Sequence, residues 1–440
     1  MINVLIKLIC IIFIFITIDL YSADRNFFFQ SFHRHKEMSS YYQKKEYPTS
    51  LWERKYLTGN WNGVRDELSD KGLTITSSYV TDLLGNPFGG EEQGFSYAGS
   101  FGMDMTMDFN KITGSEFLGW WYFYVSALWR SGTSLSDKYI KNQFNPAQLY
   151  GGETYKLIGL YLRKIAFNEK FSCKLGRLDA GDDFLCSKYY QLWVSNAFCG
   201  NPVSVFLNSP LTAYPNATWG AYLDVKPTNK FLARLGVYNT NENISKNKYH
   251  GVNFTFKNTH GALLISELVM LVGQDNNTLI YPGNYKVGAY YVTGKTQTFA
   301  QDYMKGNYSY YFLLDQMIYK IDDSRGIVPF LALIFAPAKV AMFPFFFTTG
   351  ITFNGCFGSR DKDSICIGAA YGKYSFDLNK YQMLQGQEKQ TYELVLELNY
   401  KAYVSKWLFI QPDMQYIIRP KGHRSVPNAL VLGAQIGITF

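Results

Sequence analysis

The chain has 440 residues, 18% of them aromatic and 18% charged, with 37 glycines and a formal net charge of +8. This length admits two or three soluble domains or one large barrel, and a mean hydropathy of −0.14 argues against a bundle of membrane helices. Lysine and arginine are dispersed, without a basic stripe or a recognition helix, so the charge does not indicate nucleic-acid binding. The composition alone fits an aromatic-rich β-sandwich as well as a membrane β-barrel.

The amino-terminal segment, residues 1–23, predicts a secretory signal peptide. Lys7 precedes an apolar run over residues 8–18, and the segment ends at Ala23. An uncleaved anchor is the alternative, because Tyr21 is not a small residue of the kind that signal peptidase prefers. Residues 24–56 carry the polar stretch "HRHKEMSSYYQKKEY" and are predicted to be a flexible leader.

Five cysteines remain after the predicted signal peptide: Cys173, Cys186, Cys199, Cys356 and Cys366. An exported chain meets an oxidising compartment, and an odd number leaves at least one thiol free or paired with another chain. Cys356 and Cys366 flank the turn "GSRDKDS" and are candidates to close a hairpin. No cysteine spacing resembles a metal site.

A short helix is predicted over residues 60–72. Asn60 or Asn62 is the expected N-cap, Val64 and Leu68 share one face, and Gly72 ends the helix. In a barrel such a helix would cap or plug one of the two mouths.

Several segments alternate apolar and polar residues with the period of two that predicts β-strands. They are residues 100–109, 218–226, 231–238, 392–400, 408–417 and 430–440. Their lengths approach what a tilted strand needs to cross a bilayer, and aromatic residues lie near the ends of the apolar faces. The last segment runs to Phe440, as expected of a closed barrel whose final strand pairs with its first.

The most apolar internal stretch, residues 327–347, predicts a hairpin and not a helix. It contains Pro329, Pro337, Pro344 and Lys339, and each internal proline costs a helix roughly 3 kcal/mol. We expect two strands joined at "APAK", although proline is also unusual within a strand. No other segment after the signal peptide can span as a helix.

These patterns predict an all-β fold over residues 57–440, a transmembrane antiparallel β-barrel with a short amino-terminal helix. Short turns such as residues 226–230 alternate with long polar connections such as residues 135–156. An allowance of about 24 residues for each strand with its connection gives about 16 strands, with 14 or 18 as alternatives.

Six sequence blocks together resemble the carbohydrate-selective porin family, the OprB family. They are "LTGNWNGVRDELSDKGL" (57–73), "LLGNPFGG" (83–90), "LGRLDAGDDFLCSKYY" (175–190), "AYPNATWGAYLDVKPTNKFLARLGVYN" (213–239), "YYFLLDQMIYK" (310–320) and the closing block 392–440. The resemblance runs in order through the whole predicted barrel. Asn60 departs from it, because the family usually has an acidic residue there, and the five cysteines are unusual.

The resemblance implies a sixteen-stranded outer-membrane barrel with a narrow, sugar-selective channel lined by charged and aromatic side chains. It also implies that Phe440 is the signal read by the barrel-assembly machinery. The expected partners are small sugars and outer-membrane lipid, with a second copy of the chain as a further candidate. Neither a cofactor nor a metal is expected.

Strand parity selects polar residues for the inner face of this barrel. The candidates for pore lining and substrate binding are Asp104, Asp108, Tyr161, Arg163, Tyr222, Asp224, Arg234, Tyr238, Glu393, Glu397, Gln411, Asp413 and Gln415. Sugars offer hydroxyls and apolar C–H faces, so a pore for them should offer aromatic rings and hydrogen-bonding groups that bind weakly. The alternative for each residue is a solvated wall or a packed ion pair without selectivity.

Three local assignments depend on geometry that parity does not supply. Ile158, Leu160 and Leu162 are assigned to the lipid face opposite Arg163. Asp315 and Gln316 are consecutive, so only one of them can face inward. The charged block over residues 177–183 is either an inward-folded constriction loop or a solvated strand end.

Three other functions compete with a sugar channel. A general, non-selective diffusion porin is the nearest. An outer-membrane enzyme would need a nucleophile and a base, and none of the five histidines lies beside a Ser/Asp constellation, so no enzyme is predicted. The third is an adhesive or structural barrel with a blocked lumen.

Overall fold

The computed structural model describes residues 50–440, except residue 245 and the short ranges 258–260, 274–279 and 323. The predicted signal peptide, 1–23, lies outside the described residues, as does the predicted leader up to residue 49.

One continuous antiparallel sheet closes on itself, because β1 pairs with both β2 and β17. The strands are β1 Leu73–Phe88, β2 Gly94–Asp108, β3 Trp121–Gly132, β4 Thr154–Ala166, β5 Phe171–Leu178, β6 Thr218–Thr228, β7 Phe231–Asn239, β8 Ala262–Val272, β9 Gly283–Gln297, β10 Tyr303–Gln316, β11 Tyr319–Lys320, β12 Gly326–Phe335, β13 Phe345–Asn354, β14 Ser364–Lys373, β15 Tyr392–Tyr403, β16 Leu408–Ile418 and β17 Ala429–Thr439. The two-residue β11 pairs with β12, as β10 does. β10 and β11 therefore share one strand position in the barrel wall. The barrel therefore has sixteen strands, which confirms the predicted fold.

The α-helices in the described part of the chain are few and short. They are α1 Val64–Asp70, α2 Phe109–Thr113, α3 Ser204–Asn208 and α4 Phe376–Leu384. Among the described residues, none of the helices has the length and apolar content needed to cross a membrane.

The connections differ in length between the two ends of the barrel. At the end that holds the chain terminus, β4–β5, β6–β7 and β15–β16 are joined by two to four residues. At the opposite end lie the long connections over residues 133–153, 179–217, 240–261 and 374–391. Barrels of the outer membrane have short turns on the periplasmic side and long loops outside, so we call the end that holds the chain terminus the periplasmic end.

Side-chain exposure alternates along the strands with the predicted period of two. On β15, Glu393 and Glu397 are buried at 0% and 2%, whereas Leu396 between them is 40% exposed. Met103 on β2 and Leu235 on β7 are likewise exposed on the outer face, at 47% and 55%. Because these exposed residues are apolar, the outer surface suits lipid and the inner face collects the polar groups.

The assignment of Ile158 to the lipid face is wrong, because β4 contains a bulge. Val125 of β3 pairs with Leu160, but Ala127 pairs with Leu157, so β4 has one extra residue between these pairs. Ile158 is therefore turned inward and packs in a buried cluster with Leu128 and Ala217. A bulge reverses parity along a strand, and period-two counting cannot detect it.

The apolar stretch 327–347 forms the predicted hairpin, with β12 and β13 joined by residues 336–344. Pro329 lies opposite the interruption between β10 and β11, where β12 pairs through Phe330 with Asp315 and through Ile327 with Tyr319. A proline has no N–H for the ladder, and the break in the neighbouring strand removes the need for one.

The five described cysteines are all free thiols, so the suggested Cys356–Cys366 closure is wrong. Cys366 pairs across the ladder with Thr352 and its side chain is fully buried. Cys356 lies beyond the end of β13, where its thiol faces the carbonyl oxygens of Gly326 and Asn354.

Helix α1 begins at Val64, one residue later than the Asn62 cap predicts and three later than the Asn60 cap predicts, because a 3-10 turn over Trp61–Gly63 precedes it. Gly63, with φ of +97°, is the N-cap, and Asn60 instead donates a hydrogen bond to Asp66 at 2.8 Å. Gly72 follows the helix with φ of +92°, as its predicted role as terminator requires. A Cβ there would lie 2.8 Å from the carbonyl oxygen of Asp108.

The amino-terminal segment holds the carboxyl terminus at the seam of the barrel. Phe440 donates its N–H to the carbonyl of Ser77 at 2.9 Å and accepts a hydrogen bond from Arg65 Nη2 at 3.0 Å. The Arg65 guanidinium lies 3.9 Å from the ring centroid of Tyr56 and 4.3 Å from that of Trp61. The helix therefore lies beside the β1–β17 pairing, at the periplasmic end.

Replacing Arg65 by alanine should destabilise the closed barrel by about 2 kcal/mol, because the hydrogen bond to Phe440 and two cation–π contacts are lost together. Guanidinium unfolding of the refolded protein in lipid vesicles, followed by tryptophan fluorescence, measures this. The control is Lys71→Ala in the same helix segment, whose exposed ion pair with Glu67 should contribute little. Equal unfolding midpoints for Arg65→Ala and wild type would contradict the proposed role of the contact.

Candidate functional site

Two long connections fold into the interior of the barrel. We name residues 133–153 segment A and residues 179–217 segment B. Phe144 of segment A packs against Phe343 and Phe346, with ring centroids 5.2 and 5.6 Å apart. Trp193 of segment B packs against Phe330 of β12 at 5.6 Å. These aromatic contacts fill a large part of the lumen with a buried apolar core.

Two glutamates on β15 hold the main chains of these segments. Glu393 accepts hydrogen bonds from the N–H groups of Gln143 and Phe144 at 2.8 and 2.7 Å. Glu397 accepts from the N–H groups of Val194 and Ser195 at 2.9 and 3.1 Å. Each carboxylate thus binds two consecutive amides, and charge-assisted hydrogen bonds of this kind are about twice as strong as neutral ones.

A second group of wall residues anchors the start of segment B. Glu267 on β8 accepts from the N–H of Leu185 at 3.1 Å and from Arg234 Nη1 at 2.8 Å. Arg234 also donates to the carbonyl of Asp183 at 3.1 Å. The Asp183 carboxylate in turn pairs with Lys174 Nζ at 2.6 Å, so the ionic groups here compensate one another.

Amides on β16 complete the attachment. Gln411 Nε2 donates to the carbonyl of Leu192 at 2.8 Å, and Gln415 Nε2 donates to the carbonyl of Pro146 at 3.0 Å. Buried main-chain carbonyls need such partners, because water does not reach them.

Eight of the thirteen predicted pore residues are therefore enclosed between the wall and the two segments. These are Tyr222, Arg234, Tyr238, Glu393, Glu397, Gln411, Asp413 and Gln415. They face the interior, but segments A and B, and not open lumen, cover their side chains. Asp315 also belongs to this inner layer, since it accepts hydrogen bonds from Ser187 Oγ at 2.9 Å and Asn284 Nδ2 at 2.6 Å, which decides the choice between Asp315 and Gln316.

The other five predicted residues, Asp104, Asp108, Tyr161, Arg163 and Asp224, keep partial exposure on the inner faces of β2, β4 and β6. Asp108 has a local role, because its carboxylate caps α2 by accepting from the N–H of Asn110 at 3.0 Å. The remaining four lie on the side of the barrel where the two segments leave space.

Aromatic and charged groups alternate in this space. Tyr124 donates its hydroxyl proton to Asp104 Oδ1 at 2.6 Å, and its ring lies 4.8 Å from that of Tyr161. Arg163 Nε donates to Ser172 Oγ at 3.2 Å and is within electrostatic range of Asp224. The arrangement places carboxylate acceptors, guanidinium donors and aromatic faces beside one another on the inner face of β2–β6.

Sequence reasoning missed Tyr124 and left Asp182 undecided. Both faces of β3 carry aromatic residues in "WYFYV", so its inner face cannot be read from alternation. Asp182 belongs to segment B, is within electrostatic range of Tyr124 and Tyr161, and is exposed. The charged block 177–183 thus leads into a segment that folds inward, and it is not a solvated strand end.

Replacing Glu397 by glutamine should loosen segment B, because a neutral amide can accept from only one of the two N–H groups and a cost of about 1–3 kcal/mol follows for the unpaired one. We expect a larger and noisier single-channel conductance in planar bilayers, with the barrel still assembled. Glu91→Gln, an exposed residue between β1 and β2, is the matched control. A conductance identical to wild type would argue against the anchoring role.

Comparisons with known proteins agree with this architecture. A family model described as "Carbohydrate-selective porin, OprB family" matches residues 92–440. The chain is 27% identical to Porin B of Pseudomonas aeruginosa over 434 residues, which cover 89% of this chain and 92% of that protein. It is 25% identical to the putative porin QuiX of Acinetobacter baylyi over 423 residues, which cover 88% and 94%. The solved structure of Pseudomonas putida OprB at high pH matches with a TM-score of 0.81 and 25% identity, covering 89% of this chain and all of that one.

Proposed function

The chain belongs to the OprB family of carbohydrate-selective porins, and from this we propose that it is a passive outer-membrane channel for sugars. The observation that carries the proposal is the set of partly exposed aromatic and charged side chains on β2, β3, β4 and β6, beside the space that segments A and B leave open.

The chemistry of these side chains fits a sugar. Arg163 offers a planar fork of donors to adjacent hydroxyls, and Asp104 and Asp224 offer acceptors. The paired rings of Tyr124 and Tyr161 offer an apolar face to the C–H groups of a pyranose. Each contact is made at a partly hydrated surface, so binding is weak enough for release and transport.

The two inward segments support selectivity over general diffusion. They remove much of the cross-section that a sixteen-stranded barrel would otherwise leave to water. A solute must then pass beside β2–β6, in contact with the polar and aromatic groups there. A general diffusion porin does not need segments that fill its lumen and are held there by buried carboxylates.

Delivery to the outer membrane completes the proposal. The predicted signal peptide, residues 1–23, would direct export. Phe440, which ends the last strand of the closed barrel, would be the residue recognised by the assembly machinery. The outward apolar face of the strands would contact lipid.

Liposome swelling tests the sugar channel directly. We expect proteoliposomes to swell faster in glucose and related sugars than in amino acids of similar size, since only sugars match both the donors and the rings. Permeation of all solutes in order of size alone would favour a general diffusion porin, and absence of conductance would favour a structural barrel.

Arg163→Ala should weaken the block of ion current by sugars about threefold to tenfold, the loss expected for one hydrogen bond at a partly hydrated surface. The control is Arg325→Ala, because Arg325 pairs with Asp322 and Asp361 in turns at the periplasmic end. Arg234 and Glu397 are poorer probes, since both hold segment B. Unchanged sugar block in Arg163→Ala would place the binding site elsewhere.

A further inference from the structure

The connection between β7 and β8 contains a segment that is held against the barrel wall by four consecutive strands. We name residues 246–257 segment C. Each of the strands β4 to β7 donates one hydrogen bond to a main-chain carbonyl of this segment. The pairs, with the donor first, are Leu157 N–H and His250 at 2.9 Å, Arg177 Nη1 and Gly251, Trp219 Nε1 and Phe254 at 3.2 Å, and Asn239 Nδ2 and Lys257 at 2.8 Å. These contacts fix the course of segment C across the wall.

The three donor side chains lie on the lipid-facing side of the wall. Arg177 and Trp219 are ladder partners and therefore share one face of the sheet. Trp219 is four residues before Leu223, whose ladder partner is the exposed Leu235, and Asn239 is four residues after Leu235. A separation of four residues keeps the face of a strand, so all three donors point outward. Segment C therefore covers the outside of the wall, away from the lumen.

Exposed aromatic residues indicate the depth at which segment C meets the membrane. Tyr155 of β4 and its ladder partner Trp129 are 64% and 50% exposed on the outer face. The His250 ring stacks on that of Tyr155, with centroids 4.1 Å apart and an angle of 5° between the planes. Tyrosine and tryptophan collect where the hydrocarbon of a membrane meets its headgroups, so segment C lies at the level of the headgroups, at the end opposite the periplasmic end.

A cavity of about 640 Å³ lies beside segment C. Its lining includes the amide side chains of Asn241, Asn243 and Asn253 and the rings of Tyr249 and His250. An amide both donates to and accepts from hydroxyl groups, and an aromatic ring offers an apolar face to the C–H groups of a sugar. The lining therefore suits a carbohydrate headgroup.

The charge of this region is positive. Residues 241–257 contain three lysines and one glutamate, a net charge of +2 with histidine neutral. Lys248 and Lys257 line the cavity and are exposed, and neither forms an ion pair within the part of the chain that the structure describes. Lysines at a membrane surface attract anionic headgroups, so a phosphorylated sugar complements the cavity better than a neutral one.

Segment C also exposes apolar side chains beside the cavity. Val252 and Phe256 are 61% and 58% exposed, and Val252 lines the cavity. Phe254, between them in the sequence, lies beside Trp219 of the outer face, with ring centroids 6.3 Å apart. A soluble sugar phosphate would leave this apolar surface uncovered. A ligand that carries a phosphorylated sugar on hydrocarbon chains would cover both the cavity and the apolar side chains.

We propose that segment C binds a phosphorylated glycolipid of the outer leaflet. Lys248 and Lys257 contact its phosphate, the cavity holds its sugars, and Phe256 packs on its acyl chains. The site lies outside the wall, so it is separate from the passage of solutes through the lumen and rests only on the outer-membrane location. A second copy of the chain, joined here by two-fold symmetry, would bring two positive surfaces together, and like charges oppose such a contact.

Native mass spectrometry of the full chain, released from detergent micelles, tests the site without requiring transport. Diphosphoryl lipid A, monophosphoryl lipid A, phosphatidylcholine and inorganic phosphate are the four probes. The Kd of diphosphoryl lipid A should be at least about tenfold below that of phosphatidylcholine, with monophosphoryl lipid A between them, since phosphate groups pair with the lysines. Equal affinities for the three lipids would overturn the inference. Competition by inorganic phosphate as strong as that by monophosphoryl lipid A would overturn the assignment to a lipid, because phosphate alone would then be recognised.

The double variant Lys248→Gln/Lys257→Gln should raise the Kd of diphosphoryl lipid A about tenfold, because both lysines at the phosphate are lost. The matched control is Lys230→Gln/Lys406→Gln, which removes two exposed lysines from turns at the periplasmic end and should change this Kd less than about twofold. Heat-modifiable migration on gels verifies that each variant has folded.

An unchanged Kd in the double variant of segment C would overturn the inference, and so would an equal loss in the two double variants, because net charge and not the site would then decide binding. A change of oligomeric state at unchanged lipid binding would overturn it in favour of an interface between copies of the chain. Proteoliposomes of the segment C variant should swell in sugars as fast as those of the wild type, so failure of the lipid site and failure of the channel are distinguishable.

Discussion

The structure of this protein depends on buried carboxylates of the barrel wall that accept hydrogen bonds from main-chain N–H groups. The strands satisfy one another around the closed sheet, but two long connections enter the lumen and bring unpaired amides with them. Glu393 and Glu397 each take two consecutive amides, so both segments acquire a fixed place inside the tube. The two segments thereby fill a large part of the lumen.

The same constraint divides the inner-face residues into two groups with different roles. On β8, β15 and β16 the inner-face residues lie against segments A and B, and their hydrogen bonds hold these segments in place. On β2, β4 and β6, Asp104, Tyr161, Arg163 and Asp224 are partly exposed. Identical residue types thus have different surroundings, as two arginines illustrate. Arg163 is partly exposed, whereas Arg234 is buried and donates hydrogen bonds to Asp183 and Glu267.

The seam of the barrel shows the same use of buried polar contacts at the other end. The first and last strands are far apart in sequence, and their pairing alone leaves the terminal residue at an edge. Arg65 of α1 donates a hydrogen bond to Phe440 and packs against two aromatic rings. The segment that precedes the barrel therefore stabilises the position of Phe440, directly after the end of β17.

The sequence by itself determined the barrel. Lipid on one side of each strand and polar groups on the other impose a period of two, and this period is visible in the strand segments from Met103 to Phe440. It also determined the hairpin at 327–347 and the stop at Gly72, where proline and glycine act locally. Only the tertiary structure decided the bulge that turns Ile158 inward, the free thiols of Cys356 and Cys366, and which polar residues stay in contact with water. These depend on what packs against each inner face, and that covering comes from segments distant in the chain, whose contacts leave no periodic signal.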